Sequence, residues 1–90
     1  MPKYIIEREV PGAGAATRDD LQRGSHESNT VVKDLGPEIQ WLHSYYTDDK
    51  IYCVYVAKSE DIIREHARCL DVPADRISRV AAVTDPSWGE

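Results

Sequence analysis

The sequence predicts an α+β fold in which one four-stranded antiparallel sheet carries two helices on a single face. Three observations point to it. Two β-branched and aromatic runs are joined by Asp48-Asp49, a helix-like segment with a clear start signal stands on either side of that pair, and a further strand-like run lies toward each end. The order is therefore β-α-β-β-α-β. A chain of 90 residues makes one small domain, residues 1–90, with a thin core.

Lys3 to Val10 (KYIIEREV) has the composition of a strand and is closed by Pro11-Gly12. Its two faces are Tyr4, Ile6, Arg8 and Ile5, Glu7, Glu9. Gly12 to Ala16 reads as a short flexible link. Gly12-Ala13-Gly14 lacks the third glycine of a dinucleotide fingerprint and any Walker lysine, so it is no phosphate loop. Thr17 then caps a first helix, with Asp19 and Asp20 at the positive end of its dipole and Gly36-Pro37 as the stop after Leu35. The inward stripe of this helix (Leu21, Ser25, Ser28, Val32, Leu35) is weakly apolar, and Gly24, Asn29 and Thr30 lower its propensity. It is expected to be the least stable element.

Glu38 to Thr47 (EIQWLHSYYT) and Lys50 to Ala57 (KIYCVYVA) form the clearest pair of strands, with a tight turn at Asp48-Asp49. A two-residue turn sets Thr47 opposite Lys50. One face then carries Trp41, His43, Tyr45, Tyr52, Val54 and Val56, and the other Leu42, Ser44, Tyr46, Ile51, Cys53 and Tyr55. Ser59 caps a second helix, whose stripe is Ile62, Ile63, His66, Ala67 and Leu70 and which Val72-Pro73 ends. The last strand is expected over Ile77 to Thr84, followed by a short polar tail with Trp88.

Two helices cover one face of such a sheet, yet both faces of the hairpin are apolar. The second face is expected to be covered by another copy, giving a homodimer. The aromatic composition fits half-wet surfaces and pockets: five Tyr and two Trp, but no Phe, so every large ring carries a polar handle.

Charge excludes several partners. Eleven basic against 16 acidic residues give a net charge of -5, and no Lys/Arg cluster supplies the basic footprint of a protein that binds nucleic acid or an anionic membrane. No apolar run approaches the ~20 residues of a membrane span. Charges in the first ten residues break any signal-peptide core. Cys53 and Cys69 form no C-x-x-C pair, so a cytoplasmic protein with reduced thiols is expected.

Four residues are candidates for chemistry. His43 sits between Trp41 and Tyr45 in an aromatic strand, and His66 points inward from the second helix; each is either a core histidine held by a hydrogen bond or a metal ligand or general base. Glu7 is a mid-strand carboxylate that either faces solvent, pairs with an arginine, or offers oxygen to a metal. His26 falls on a polar helical stripe and reads as a surface residue. No HxH or HxxxH spacing occurs, so any metal site must be assembled by folding. No nucleophile–base pairing supports a hydrolase.

The stretch IQWLHSYYTDDKIYCVYVAKSEDIIREHA (39–67), with PADRIS (73–78) and KYIIER (3–8), resembles the small bacterial nickel-binding, nickel-responsive proteins, a family first catalogued as a domain of unknown function. The W-x-H-S-Y…Y-C-x-Y…E-H-A constellation carries the likeness. The resemblance implies a ferredoxin-like fold, a homodimer, and Ni(II) held by histidine and oxygen ligands, for which His43, His66 and Glu7 are the first candidates. Sensing, sequestration or homeostasis of nickel is then expected, rather than turnover. The alternative is a cofactor-free enzyme of the dimeric α/β-barrel type, a monooxygenase or isomerase, with His43 or His66 as general base.

Overall fold

The computed structural model describes residues 1–90. Its elements are β1 (Lys3–Glu9), α1 (Arg18–Leu35), β2 (Ile39–Tyr46), β3 (Lys50–Ala57), α2 (Glu60–Leu70) and β4 (Arg76–Arg79), with short 3-10 turns at Ala13–Ala15 and Pro86–Gly89. The sheet order is β2-β3-β1-β4, and every neighbouring pair is antiparallel. The first two strands of the β-α-β-β unit are thus separated by β3, as in a ferredoxin-like sheet.

Both ends of α1 follow from local chemistry. Thr17 Oγ1 accepts from the Asp20 amide at 3.1 Å, and Asp20 Oδ2 accepts from the Thr17 amide at 3.0 Å, which completes a capping box. Gly36, at φ 85°, ends the helix with a backbone that a side chain would strain. Ser28 is the one buried residue of α1, so the weakly apolar stripe buries little. Helix α2 is the better anchored, burying Ile63, His66 and Ala67. Ser59 occupies its N-cap without a side-chain bond, and Asp71 in the left-handed region closes it one residue before Val72-Pro73.

The helix-facing side of the sheet holds the core: Tyr4, Ile6, Ile39, Cys53, Tyr55 and Ala57 pack with Ile63 of α2. The opposite, open side presents Ile5 and Glu7 of β1, Tyr52, Val54 and Val56 of β3, and His43 and Tyr45 of β2.

Three expectations change. The register slips between Trp41 and His43, where Leu42 is an extra, unpaired residue. Trp41 pairs with Tyr55 and therefore faces the helices, while His43 pairs with Val54 on the open side. Strict alternation had put Trp41 and His43 on one face; the bulge separates them. Strand β4 stops at Arg79, well short of Thr84. Its only neighbour is β1, and beyond Lys3, whose carbonyl accepts from the Val80 amide at 2.8 Å, the chain runs back into Pro2, which has no N–H and whose carbonyl accepts from the Ala57 amide of β3. No partner is left for residues 81–84. Finally, the segment after Pro11 is a built corner and no loose link: Gly14 N bonds Asp48 O at 3.0 Å, Gly12 N bonds Asp49 Oδ1 at 3.0 Å, and Ala13 is buried.

Candidate functional site

The two sides of the sheet carry two distinct sets of polar residues. Under the helices, α2 turns His66 into the core, where it is fully buried. Its Nδ1 lies 3.4 Å from the Tyr55 hydroxyl and its Nε2 3.3 Å from Ser28 Oγ, so the ring ties α2 to β3 on one side and to α1 on the other. The Tyr55 and His66 rings meet edge to face, with centroids 5.2 Å apart. Burial lowers the pKa of His66, with the nearby positive Arg8 acting in the same direction, against a smaller raising effect from Ser28. The imidazole is therefore held neutral, with one ring nitrogen donating and the other accepting. Burial likewise raises the phenol of Tyr55, and it stays a neutral O–H.

On the open side, His43 is exposed, its ring edge-to-face with Tyr45 at 5.1 Å. Glu7 lies on the same side, two strands away. The pairing runs His43–Val54–Ile5 and Tyr45–Tyr52–Glu7, so their backbones are separated by about 10 Å across the strands alone. The Glu7 carboxylate is 3.9 Å from both Lys50 Nζ and Arg76 Nε; these are long, partly exposed pairs worth little.

The sheet thus separates the three residues the sequence singles out. His43 and Glu7 share the open face, and His66 stands on the far side with both ring nitrogens engaged by hydroxyls. No group of three His, Cys, Asp or Glu side chains in the chain converges on a point that could hold a metal ion. His26 is exposed, as expected, in a shallow groove between the helices beside Cys69. Both cysteines are free thiols, Cys53 buried and Cys69 exposed.

One polar residue of the interior was not singled out. Arg8 is only 4% exposed, and its guanidinium donates to the carbonyl of Pro73. The signal was present in the sequence, because Arg8 alternates in phase with Tyr4 and Ile6 on the covered face of β1.

The strand order, the two helices on one face and the histidine-bearing open face define a ferredoxin-like α+β protein. More narrowly, the chain belongs to the family described as nickel responsive protein SCO4226-like, whose pattern matches residues 4–80. Among solved structures, SCO4226 from Streptomyces coelicolor A3(2) is similar over 91% of this chain and 99% of its own, with a TM-score of 0.77 and 18% sequence identity. At that identity the likeness is one of fold. Comparison with curated protein sequences gives no match. No helix is long and apolar enough to cross a membrane.

Proposed function

We propose that this protein binds Ni(II) on the open face of its sheet, between two copies packed face to face, and that it senses or sequesters the metal rather than catalysing a reaction. Membership of a nickel-responsive family supports the metal. The observation that carries the location is the exposed imidazole of His43 on a sheet face that also presents Ile5, Tyr45, Tyr52 and Val54. Ni(II) takes four to six donors in square-planar or octahedral geometry, and imidazole with carboxylate suits it. One chain offers this face one exposed histidine, with the Glu7 and Glu9 carboxylates two strands away on β1. A two-fold axis doubles each donor, so His43 and Glu7 of two copies supply a set that a single copy lacks. His66 does not belong to this set, because binding a metal would cost it its bond to Tyr55 or to Ser28. The free thiols of Cys53 and Cys69 fit a protein of the reducing cytoplasm.

Calorimetric titration with Ni(II) tests the proposal. Wild type is expected to bind, His43→Ala to lose at least about tenfold in affinity through the missing donor, and Glu7→Gln to lose less. Unchanged affinity in His43→Ala removes the open face as the site. Cu(II) is expected to bind more tightly than Ni(II) by the general order of divalent affinities.

A further inference from the structure

On the side of the sheet away from His43, a cavity of about 150 Å³ lies between the strands and the two helices. Arg8, Ser28, Trp41, Tyr46, Cys53 and Tyr55 supply much of its lining, with Ile51, Leu70 and Val72 adding apolar wall. Exposed Gly24 and Glu27 of α1 stand among its lining residues at the surface.

Charge makes this cavity unusual. Arg8 is buried and takes part in no ion pair; its guanidinium donates to the Pro73 carbonyl and lies close enough to the Tyr55 phenol to act on it. A guanidinium has five N–H donors, so most of its capacity is unused. No fully buried side-chain nitrogen or oxygen lacks a partner, so the guanidinium nitrogens that bond nothing keep some solvent-accessible surface, and Arg8 is one of the residues lining the cavity. The groups around it are neutral. Burial raises the phenols of Tyr46 and Tyr55 above their ordinary value, and His66 is held uncharged. The nearest acidic residue of the lining, Glu27, is exposed and lies outside ion-pair distance of Arg8. Desolvating a cation with no counter-charge is expensive, and an anion entering the cavity would relieve that cost.

We propose that this cavity is a binding site for a small organic carboxylate, its carboxylate accepting hydrogen bonds from Arg8 with phenolic O–H groups of Tyr46 and Tyr55 beside it. Arginine matches a carboxylate in two-point geometry. The apolar wall of Trp41, Ile51, Leu70 and Val72 suits an organic body, and a cavity of this size accommodates a ring the size of benzene. Trp41 is fixed for that role because its Nε1 donates to Ser44 Oγ at 2.9 Å. The site is separate from the proposed metal face and stands whether or not nickel binds.

The experiment is an NMR titration of the full chain, labelled with nitrogen-15, with benzoate, benzamide and inorganic phosphate in turn. Benzoate is expected to give saturable shifts at the Arg8 side-chain N–H, the Trp41 indole N–H and the Cys53 and Tyr55 amides. Benzamide, of the same shape without the charge, is expected to bind at least about tenfold more weakly, the scale of a charge-assisted pair. Arg8→Met is expected to abolish the benzoate shifts. The benzoate–benzamide comparison needs no variant, so it decides the question even if Arg8→Met fails to fold. Equal binding of the two probes overturns the proposal, as does phosphate binding at Arg8 without benzoate, shifts confined to other residues, or no saturation at tens of millimolar.

Discussion

A fully buried histidine shows how one side chain sets a condition on the whole fold. His66 packs between Ser28 of α1 and Tyr55 of β3, and a neutral ring satisfies both hydroxyls. Its folded pKa lies below the ordinary 6.5, chiefly through burial. The unfolded chain therefore binds a proton on this residue at a pH where the folded chain does not. Stability is complete above about pH 6.5 and falls as the pH drops below it, because protonation then favours the unfolded state. Urea unfolding followed between pH 8 and pH 5 is expected to show that loss in wild type. A His66→Gln variant, having no group that titrates there, is expected to show a flatter profile in the same window. The inward position of His66 was legible from helical spacing with Ile62, Ile63 and Leu70. Its partners were not, since Ser28 and Tyr55 are distant in sequence and meet only when α1, α2 and β3 pack.

At the scale of elements, the two glycines of interest behave in opposite ways. Gly24 lies mid-helix in α1, where an added Cβ would meet nothing within 4 Å. Gly24→Ala is expected to raise stability by about 0.5–1 kcal/mol through helix propensity and a less flexible unfolded chain, read as a higher melting temperature. Gly14 lies in the 3-10 turn after β1, where a Cβ would come within 2.9 Å of the Asp48 backbone. Gly14→Ala is expected to lower the melting temperature, because the corner and the hairpin turn must move apart. The hairpin itself was readable, since Thr47 and Lys50 close its turn and Tyr45 stands opposite Tyr52. The bulge at Leu42 was not readable, because an extra residue leaves no mark on an alternating pattern whose two faces are both apolar.

At the scale of the molecule, the open face of the sheet is the unbalanced feature. Ile5 is 38% and Tyr45 60% exposed there, with Tyr45 against the imidazole of His43 and Ile5 two strands away. We expect wild type to sediment at equilibrium with the mass of a dimer at micromolar concentration. Ile5→Lys, at a site already open to solvent, is expected to fold and to sediment as a monomer. A monomeric mass for wild type would sink the face-to-face arrangement, and with it the doubling of donors that the nickel proposal requires. The folded monomer has a buried cation, Arg8, on one side of the sheet and an exposed histidine, His43, with Ile5, Tyr45 and Tyr52 on the other, so a metal and an organic anion would not compete for the same residues.

By itself the sequence determined the order of elements, the caps, the hairpin and the family. The elements, caps and hairpin depend on periodicity and turn chemistry that act within a few residues, and the family likeness rests on short motifs spread over residues 3–78 that are read without knowing how the chain folds. Only the tertiary structure decided which candidates meet. It put His43 and Glu7 on one side of the sheet and His66 on the other, moved Trp41 under the helices, ended β4 where β1 ran out of partners, and left a half-open cavity lined in part by Arg8. Each of those outcomes depends on which strands are neighbours and on a one-residue shift in their pairing, and in a sheet a shift of one residue exchanges the two faces.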